Sequence, residues 1–337
     1  MFYNIKYFIL NILFMFVCLQ THAQMQNPFF VENDSIIQWI SEFPSINKNN
    51  TKHSFSKKIS ELIIGKDEQS RLIKPMSVIA LNPDTFIIID QGKGQPLYVI
   101  NKQLTPVKYI KRNNISFPSL TNACFINYNR IIFTDSRLNK IFSIFGNEKE
   151  IKSLNDSLLL KQPTGVAYSV LKDEIWVVET SAHRISVLNQ NGKLLKTMGK
   201  RGTNNGEFNY PTSIWIDNQG YCYIIDAMNY RVQIFNKEGE FISSFGKQGD
   251  ASGYFARPKG IATDSFHNIY ITDALFHNVQ IFDKEGKFLY HFGEQGREPG
   301  QFWMPSGIYI DKNDYIYVSD TYNSRVQIFK LKAENIK

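Results

Sequence analysis

The stretch GEFNYPTSIWIDNQGYCYIIDAMNYRVQIFNKEGEFISSFG, residues 206–246, decides how this chain is read. It holds four short runs rich in Ile, Val, Phe and Tyr, a composition that favours strands. They are separated by the turns DNQG, AMNY and NKEGE. The last of these, with its Gly, is a hairpin signal. Four antiparallel strands in about 45 residues is therefore the expected unit.

The unit recurs. Residues 253–293, GYFARPKGIATDSFHNIYITDALFHNVQIFDKEGKFLYHFG, repeat it, and residues 300–329, GQFWMPSGIYIDKNDYIYVSDTYNSRVQIF, repeat its first three strands. Six prolines mark the period: Pro75, Pro118, Pro163, Pro211, Pro258 and Pro305, spaced by 43, 45, 48, 47 and 47 residues. An acid ends each second strand: Asp90, Asp135, Glu179, Asp226, Asp273 and Asp320. A single four-stranded sheet cannot bury both apolar faces, whereas six stacked radially bury them against one another. The expected fold is all-β, a six-bladed β-propeller with four antiparallel strands per blade.

A ring of this kind must close. The last repeat lacks its fourth strand, and Ile59–Gly65, in KKISELIIG, reads as that strand. The expectation is that residues 57–65 pair with Arg325–Lys330 and complete blade six. This makes residues 57–337 the propeller and 24–56 an N-terminal arm. Within the arm, NDSIIQWISEF reads as a short helix capped by Asn33 or Asp34, followed by a polar linker.

Residues 1–23 read as a secretory signal peptide: one charge at Lys6, an apolar run over 7–19, and the small residues Thr21 and Ala23 before the cut. The run is shorter than a membrane-spanning helix needs, so no integral membrane segment is expected after cleavage. An exported protein (periplasmic, cell-surface or extracellular) is expected, and with it no nucleic-acid partner. Removing Lys6 lowers the formal net charge of +7 by only one. Cys124 and Cys222 sit in strand-like runs of different repeats and are expected to be buried free thiols.

The blocks at 206–246 and 300–329 resemble NHL repeats, with their Gly-x-Phe loop, Pro-x-Gly strand, Asp-ending strand and Asn-x-Arg. The resemblance is strongest in blades four to six. Blades one and two keep the Pro and the acid but lose Asn-x-Arg. It implies the fold and says little about activity. Asp226 with Arg231, and Asp320 with Arg325, are expected to pair across one tight turn. Gly165, Gly260 and Gly307 are expected where the innermost strands crowd, and Phe208, Phe255 and Phe302 between blades.

In such a ring the four-to-one loops and the two-to-three turns share the face around the channel mouth. The candidate ligand-binding residues there are Arg137, Lys140, His183, Arg184, Tyr230, His277, Trp303 and Tyr322. Basic residues mixed with aromatics suit an acidic or carbohydrate-like partner; an ordinary solvated face is the alternative. His183 and His277 occupy equivalent places but have no evident third ligand, so no metal or other cofactor is expected. The peptidyl-hydroxyglycine lyases resemble NHL propellers and carry His after a blade's Pro. Here those positions are Met76, Ser119, Thr164, Thr212, Lys259 and Ser306. Gluconolactonase-like propellers use an axial Glu that the first strands here lack. The reading is a monomeric scaffold that binds a protein, peptide or glycan and has no assigned catalytic residue. The alternative is a propeller enzyme of one of those two kinds, with a metal at the channel mouth.

Overall fold

The computed structural model describes residues 36–44, 72–92, 97–100, 106–109, 116–127, 130–145 and 151–332. Six four-stranded antiparallel sheets make the six blades. Their first strands begin at Pro75, Leu120, Pro163, Pro211, Pro258 and, in blade six, Ile308. In blades one to five each first strand pairs with the second, the second with the third and the third with the fourth, in chain order, and blade six departs from this only in its fourth strand.

The core lies between blades rather than within them. Trp176 and Val178 of blade three pack with Phe208, Ile214 and Phe235 at blade four. Tyr223 and Ile225 of blade four pack with Phe255, Ile261 and Phe282 at blade five. Phe208, Phe255 and Phe302 are fully buried, each at the end of the long loop leading into the next blade. Gly307 shows why the innermost strands need glycine: a Cβ there would lie 2.6 Å from the Met76 carbonyl oxygen of blade one.

Two sequence expectations are corrected. The first concerns the period. Leu120, not Pro118, pairs with Asp135 as Pro75 pairs with Asp90 and Pro163 with Glu179. Pro118 lies two residues earlier, in the loop. The residue after the strand-opening position in blade two is therefore Thr121, and Ser119 belongs to the loop.

The second concerns closure. The place beside Arg325–Leu331 is taken by the strand Ile37–Phe43, giving blade six the order Ile37–Phe43, Arg325–Leu331, Tyr315–Asp320, Ile308–Ile310. The segment read as a helix is thus the closing strand, and residues 57–65 lie outside the described residues. Both segments contain Ile-Ser-Glu followed by a large apolar residue, at 40–43 and at 59–62. The first also carries Trp39, whose indole N–H donates to Gln327 Oε1 at 3.0 Å. Glu42 accepts from Arg325 Nη1 at 2.6 Å, and both side chains are 6% exposed. Phe43 packs edge-on against Phe86 of blade one.

The chain divides into two compact units. Trp39–Lys330 is the ring just described. In the small unit built from the flanking residues, Lys332 N donates to Ile36 O at 2.9 Å. Among the described residues no helix is long and apolar enough to cross a membrane. Cys124 is half-buried, Cys222 is buried, and both are free thiols.

Candidate functional site

The acid ending each second strand organises the loop-rich face. Asp226 is fully buried. It accepts Asn209 N at 2.6 Å, Asn229 Nδ2 at 2.8 Å and Arg231 Nε at 2.9 Å. Asn229 Nδ2 also reaches Gly202 O, and Arg231 Nη2 reaches Asn204 O and Glu207 O. The Asn-x-Arg motif therefore holds the long loop onto the turn. Asp320, Asn323 and Arg325 do the same in blade six, and Glu179 with Arg184 pairs at 2.8 Å in blade three. Blade five has Asn278 in the Arg position, with Oδ1 buried and unpartnered among the described residues. There Asp273 is held by the backbone N–H groups of Ala256, Arg257, Leu275 and Phe276.

Neighbouring blades are latched on this face by the last residue of the two-to-three turn. That residue has a left-handed backbone at Asn139, His183, Tyr230, His277 and Ser324, with φ between 53° and 57°. Asn139 Oδ1 accepts Gln162 N at 2.8 Å. His183 Nδ1 accepts Tyr210 N at 3.1 Å, and His277 Nδ1 accepts Met304 N at 3.0 Å. Ser324 Oγ donates to Ile73 O at 2.9 Å. Each bond crosses to the next blade. Because Nδ1 accepts in both histidines, the ring proton sits on Nε2. Burial holds the His277 imidazole below its ordinary pKa. Tyr230 makes no such bond, and the corresponding Arg257 N–H turns to Asp273 instead.

A second set of links lies around the channel mouth. Gln91 Nε2 donates to Leu120 O, Thr134 Oγ1 to Thr164 O, Thr180 Oγ1 to Pro211 O, Thr272 Oγ1 to Ser306 O and Thr321 Oγ1 to Pro75 O. These stitch blades one to two, two to three, three to four, five to six and six to one. Among the described residues blades four and five have no counterpart, because Ile225 and Ala227 stand where Thr134 and Thr180 stand elsewhere. With Ala227 in that place, Thr212 Oγ1 is buried without a partner. Its equivalents Thr164 and Ser306 bond to Thr180 and Thr321 at 2.7 and 2.6 Å.

The result is an opening. A cavity of about 500 Å³ lies between blades four and five, lined by Tyr210, Thr212, Met228, Tyr230, Arg257 and Lys259 among others. Thr212 and Lys259 also line the central channel, a cavity of about 630 Å³ walled by all six first strands. Lys259 takes the position held by Met76, Thr121, Thr164, Thr212 and Ser306 in the other blades. Its ammonium has no hydrogen-bond or ion-pair partner among the described residues. Burial, with Arg257 and Lys74 nearby, holds it below the ordinary lysine pKa against the pull of Asp273.

The sequence-derived candidates are distributed around this face rather than gathered. Arg137 lines a separate cavity of about 560 Å³ at blades two and three with Lys161 and Gln162. Lys140 pairs with Asp156 at 2.6 Å. His183, Arg184 and His277 are occupied as described. Trp303 lies 6.4 Å from Tyr322, centroid to centroid, under the Arg297 guanidinium. Tyr230 alone of the eight lines the groove between blades four and five. Sequence pattern alone does not point to Thr212, Arg257 and Lys259; the lysine after Pro258 reads there only as a position that is not histidine. Among the described residues no group of three or more His, Cys, Asp or Glu side chains is placed to hold a metal ion.

Comparison with known proteins agrees with this architecture. Residues 153–230 and 265–336 match a family model described as a 6-bladed beta-propeller. This chain has that fold. No curated protein matches the sequence. Solved structures similar to the propeller include a virginiamycin B lyase from Staphylococcus aureus, at 16% identity and TM-score 0.56, covering 77% of this chain and 95% of that one. An auxiliary nutrient binding protein from Bacteroides thetaiotaomicron has 13% identity and TM-score 0.61, with coverage of 77% and 69%. Another from Bacteroides ovatus has 16% identity and TM-score 0.58, with coverage of 87% and 76%. At these identities the likeness concerns the fold.

Proposed function

We propose that this protein is an exported, NHL-like binding propeller. Its ligand, a protein segment, peptide or glycan, sits on the loop-rich face over the junction of blades four and five. The observation that carries the reading is the coincidence at that junction. The stitch found at the five other junctions and the latch found at four of them are both missing, among the described residues, where an aromatic-lined groove runs into the channel. Rings gain stability from such links, so a junction without them is one where another requirement prevails. Tyr210, Met228 and Tyr230 supply partly exposed aromatic and thioether surface, the material of binding pockets. The neighbours named as nutrient binding proteins support a binding role by analogy of fold.

The test is binding of the purified chain to peptide and glycan arrays, compared with the Met228→Ala/Tyr230→Ala variant. Met228 is exposed, whereas Tyr230 is half-buried against the core between blades four and five, so the variant is expected to melt somewhat lower, and binding is compared at a temperature where both chains are folded. A specific array ligand lost in the variant is the expected result. Unchanged binding by the variant would place the site elsewhere. Export is checked separately: the mature protein recovered from the host is expected to begin at Gln24, and a cell-retained chain beginning at Met1 contradicts it.

A further inference from the structure

Resting on that reading, we infer that the inner end of the groove is a subsite for an oxyanion, a carboxylate or phosphate carried by the ligand, held by Lys259, Thr212 and Arg257. Three departures from the ring's own pattern converge on one spot. Lys259 replaces the hydroxyl-bearing residue that most blades place at the mouth. Ala227 replaces the partner hydroxyl, leaving Thr212 Oγ1 buried with a free proton to donate. Tyr230 leaves the Arg257 segment unlatched, so the guanidinium stands exposed at the groove's rim while its backbone N–H is held by Asp273.

The chemistry of this set is one-sided. Its side chains supply an ammonium, a hydroxyl and a guanidinium, all able to donate to one acceptor group. The groove's lining contains no acid. The carboxylate that acts on Lys259, Asp273, is fully buried and already accepts four backbone N–H groups. A half-buried ammonium without a counterion among the described residues is unfavourable, and Lys74 and Arg257 add to the positive field around it. A bound oxyanion relieves both. A neutral sugar or an apolar side chain relieves neither.

The experiment titrates the full chain, with isotope-labelled lysine, with sodium glucuronate and with inorganic phosphate. Glucose and sodium chloride at matched ionic strength serve as controls. The lysine Cε–H resonances are followed. Saturable movement of one resonance, absent in Lys259→Met, is expected with at least one anion, at millimolar affinity. Weakening of about tenfold is expected in Arg257→Ala. Lys259→Met removes a poorly solvated charge, so its melting temperature is expected to be no lower than the parent's, and Lys259→Arg should retain binding. The two anions separate a carboxylate site from a phosphate site. The proposal is overturned if neither anion gives saturable movement, if sodium chloride alone reproduces it, or if Lys259→Met binds as the parent does. An array ligand held equally well by parent and Lys259→Met would sink the subsite and leave the binding reading standing. Anion binding at Lys259 with no array ligand on the face would do the reverse.

Discussion

Thr180 Oγ1 donates to the Pro211 carbonyl at 2.7 Å, across the boundary between blades three and four. One blade further on, Ala227 stands in the place of Thr180 and the bond to Pro258 is missing. The difference is a single hydroxyl. Ala227→Thr restores it and gives Thr212 the partner that Thr164 has in Thr180. A hydrogen bond of this kind contributes about 1 kcal/mol, so the melting temperature is expected to rise by roughly 2–4 °C. The added side chain also fills the groove's inner end, so array ligands and oxyanions should bind at least about tenfold more weakly. A variant that is no more stable, or that binds as before, contradicts the assignment of this junction.

Glu42 and Arg325 carry the closure. Asp320, Arg325 and Glu42 form a buried chain of charges, with Arg325 donating to both acids. Removing one member of a buried pair is expected to cost about 3–5 kcal/mol. Glu42→Ala should therefore lower the denaturant midpoint sharply, while the same change at Glu61, in the sister segment, should shift stability by roughly 0.5 kcal/mol or less. The opposite ranking in chemical denaturation would return the closing strand to residues 57–65.

The His277 latch is sensitive to acid. Its imidazole accepts the Met304 N–H while neutral, and burial lowers its pKa in the folded chain. The unfolded chain protonates first as pH falls. The latch's contribution is thus present above about pH 6.5 and is lost as pH falls through the lower folded value. Asn suits the left-handed backbone at this position, as Asn139 shows in blade two, and offers an Oδ1 acceptor. His277→Asn should keep the stability of the parent at neutral pH and lose less on acidification; His277→Leu should be weaker at neutral pH. Parallel stability curves for parent and His277→Asn between pH 7 and 5 would rule the latch out as the cause.

Much of the ring was legible because propeller repeats write each blade in nearly the same residues. The acid at the end of every second strand was sufficient to count six blades. Proline misled in blade two, where Pro118 lies in the loop and Leu120 opens the strand. The closing strand was harder, since ISEF and ISEL differ in little that single-sequence patterning can read. Proximity to Pro75 favoured the wrong one. What decides between them is the buried Glu42–Arg325 contact, which joins residues 283 apart in sequence.

The functional face was legible only in part. His183, His277 and Tyr230 align by simple counting from the acid. That two of them latch to the next blade depends on a left-handed backbone, which counting does not reveal. The residue after each acid reads Gln91, Ser136, Thr180, Ala227, Ala274 and Thr321, and this column contained a signal for the open junction. Its meaning appears only once Thr180 is seen to point at the neighbouring blade's carbonyl. Lys259 belongs to the same category. A lysine after a proline is unremarkable until its five counterparts are seen to form the rim of one channel.

The account's central claim is that the ligand occupies the loop-rich face at the junction of blades four and five. Amide hydrogen exchange of the full chain, with and without its tightest array ligand, tests this most directly. Protection is expected over residues 226–231 and 254–260, with the turns at 217–221 and 264–268 on the opposite face unchanged. Protection confined to those opposite turns, or to the cavity near Arg137 and Lys161, would contradict it.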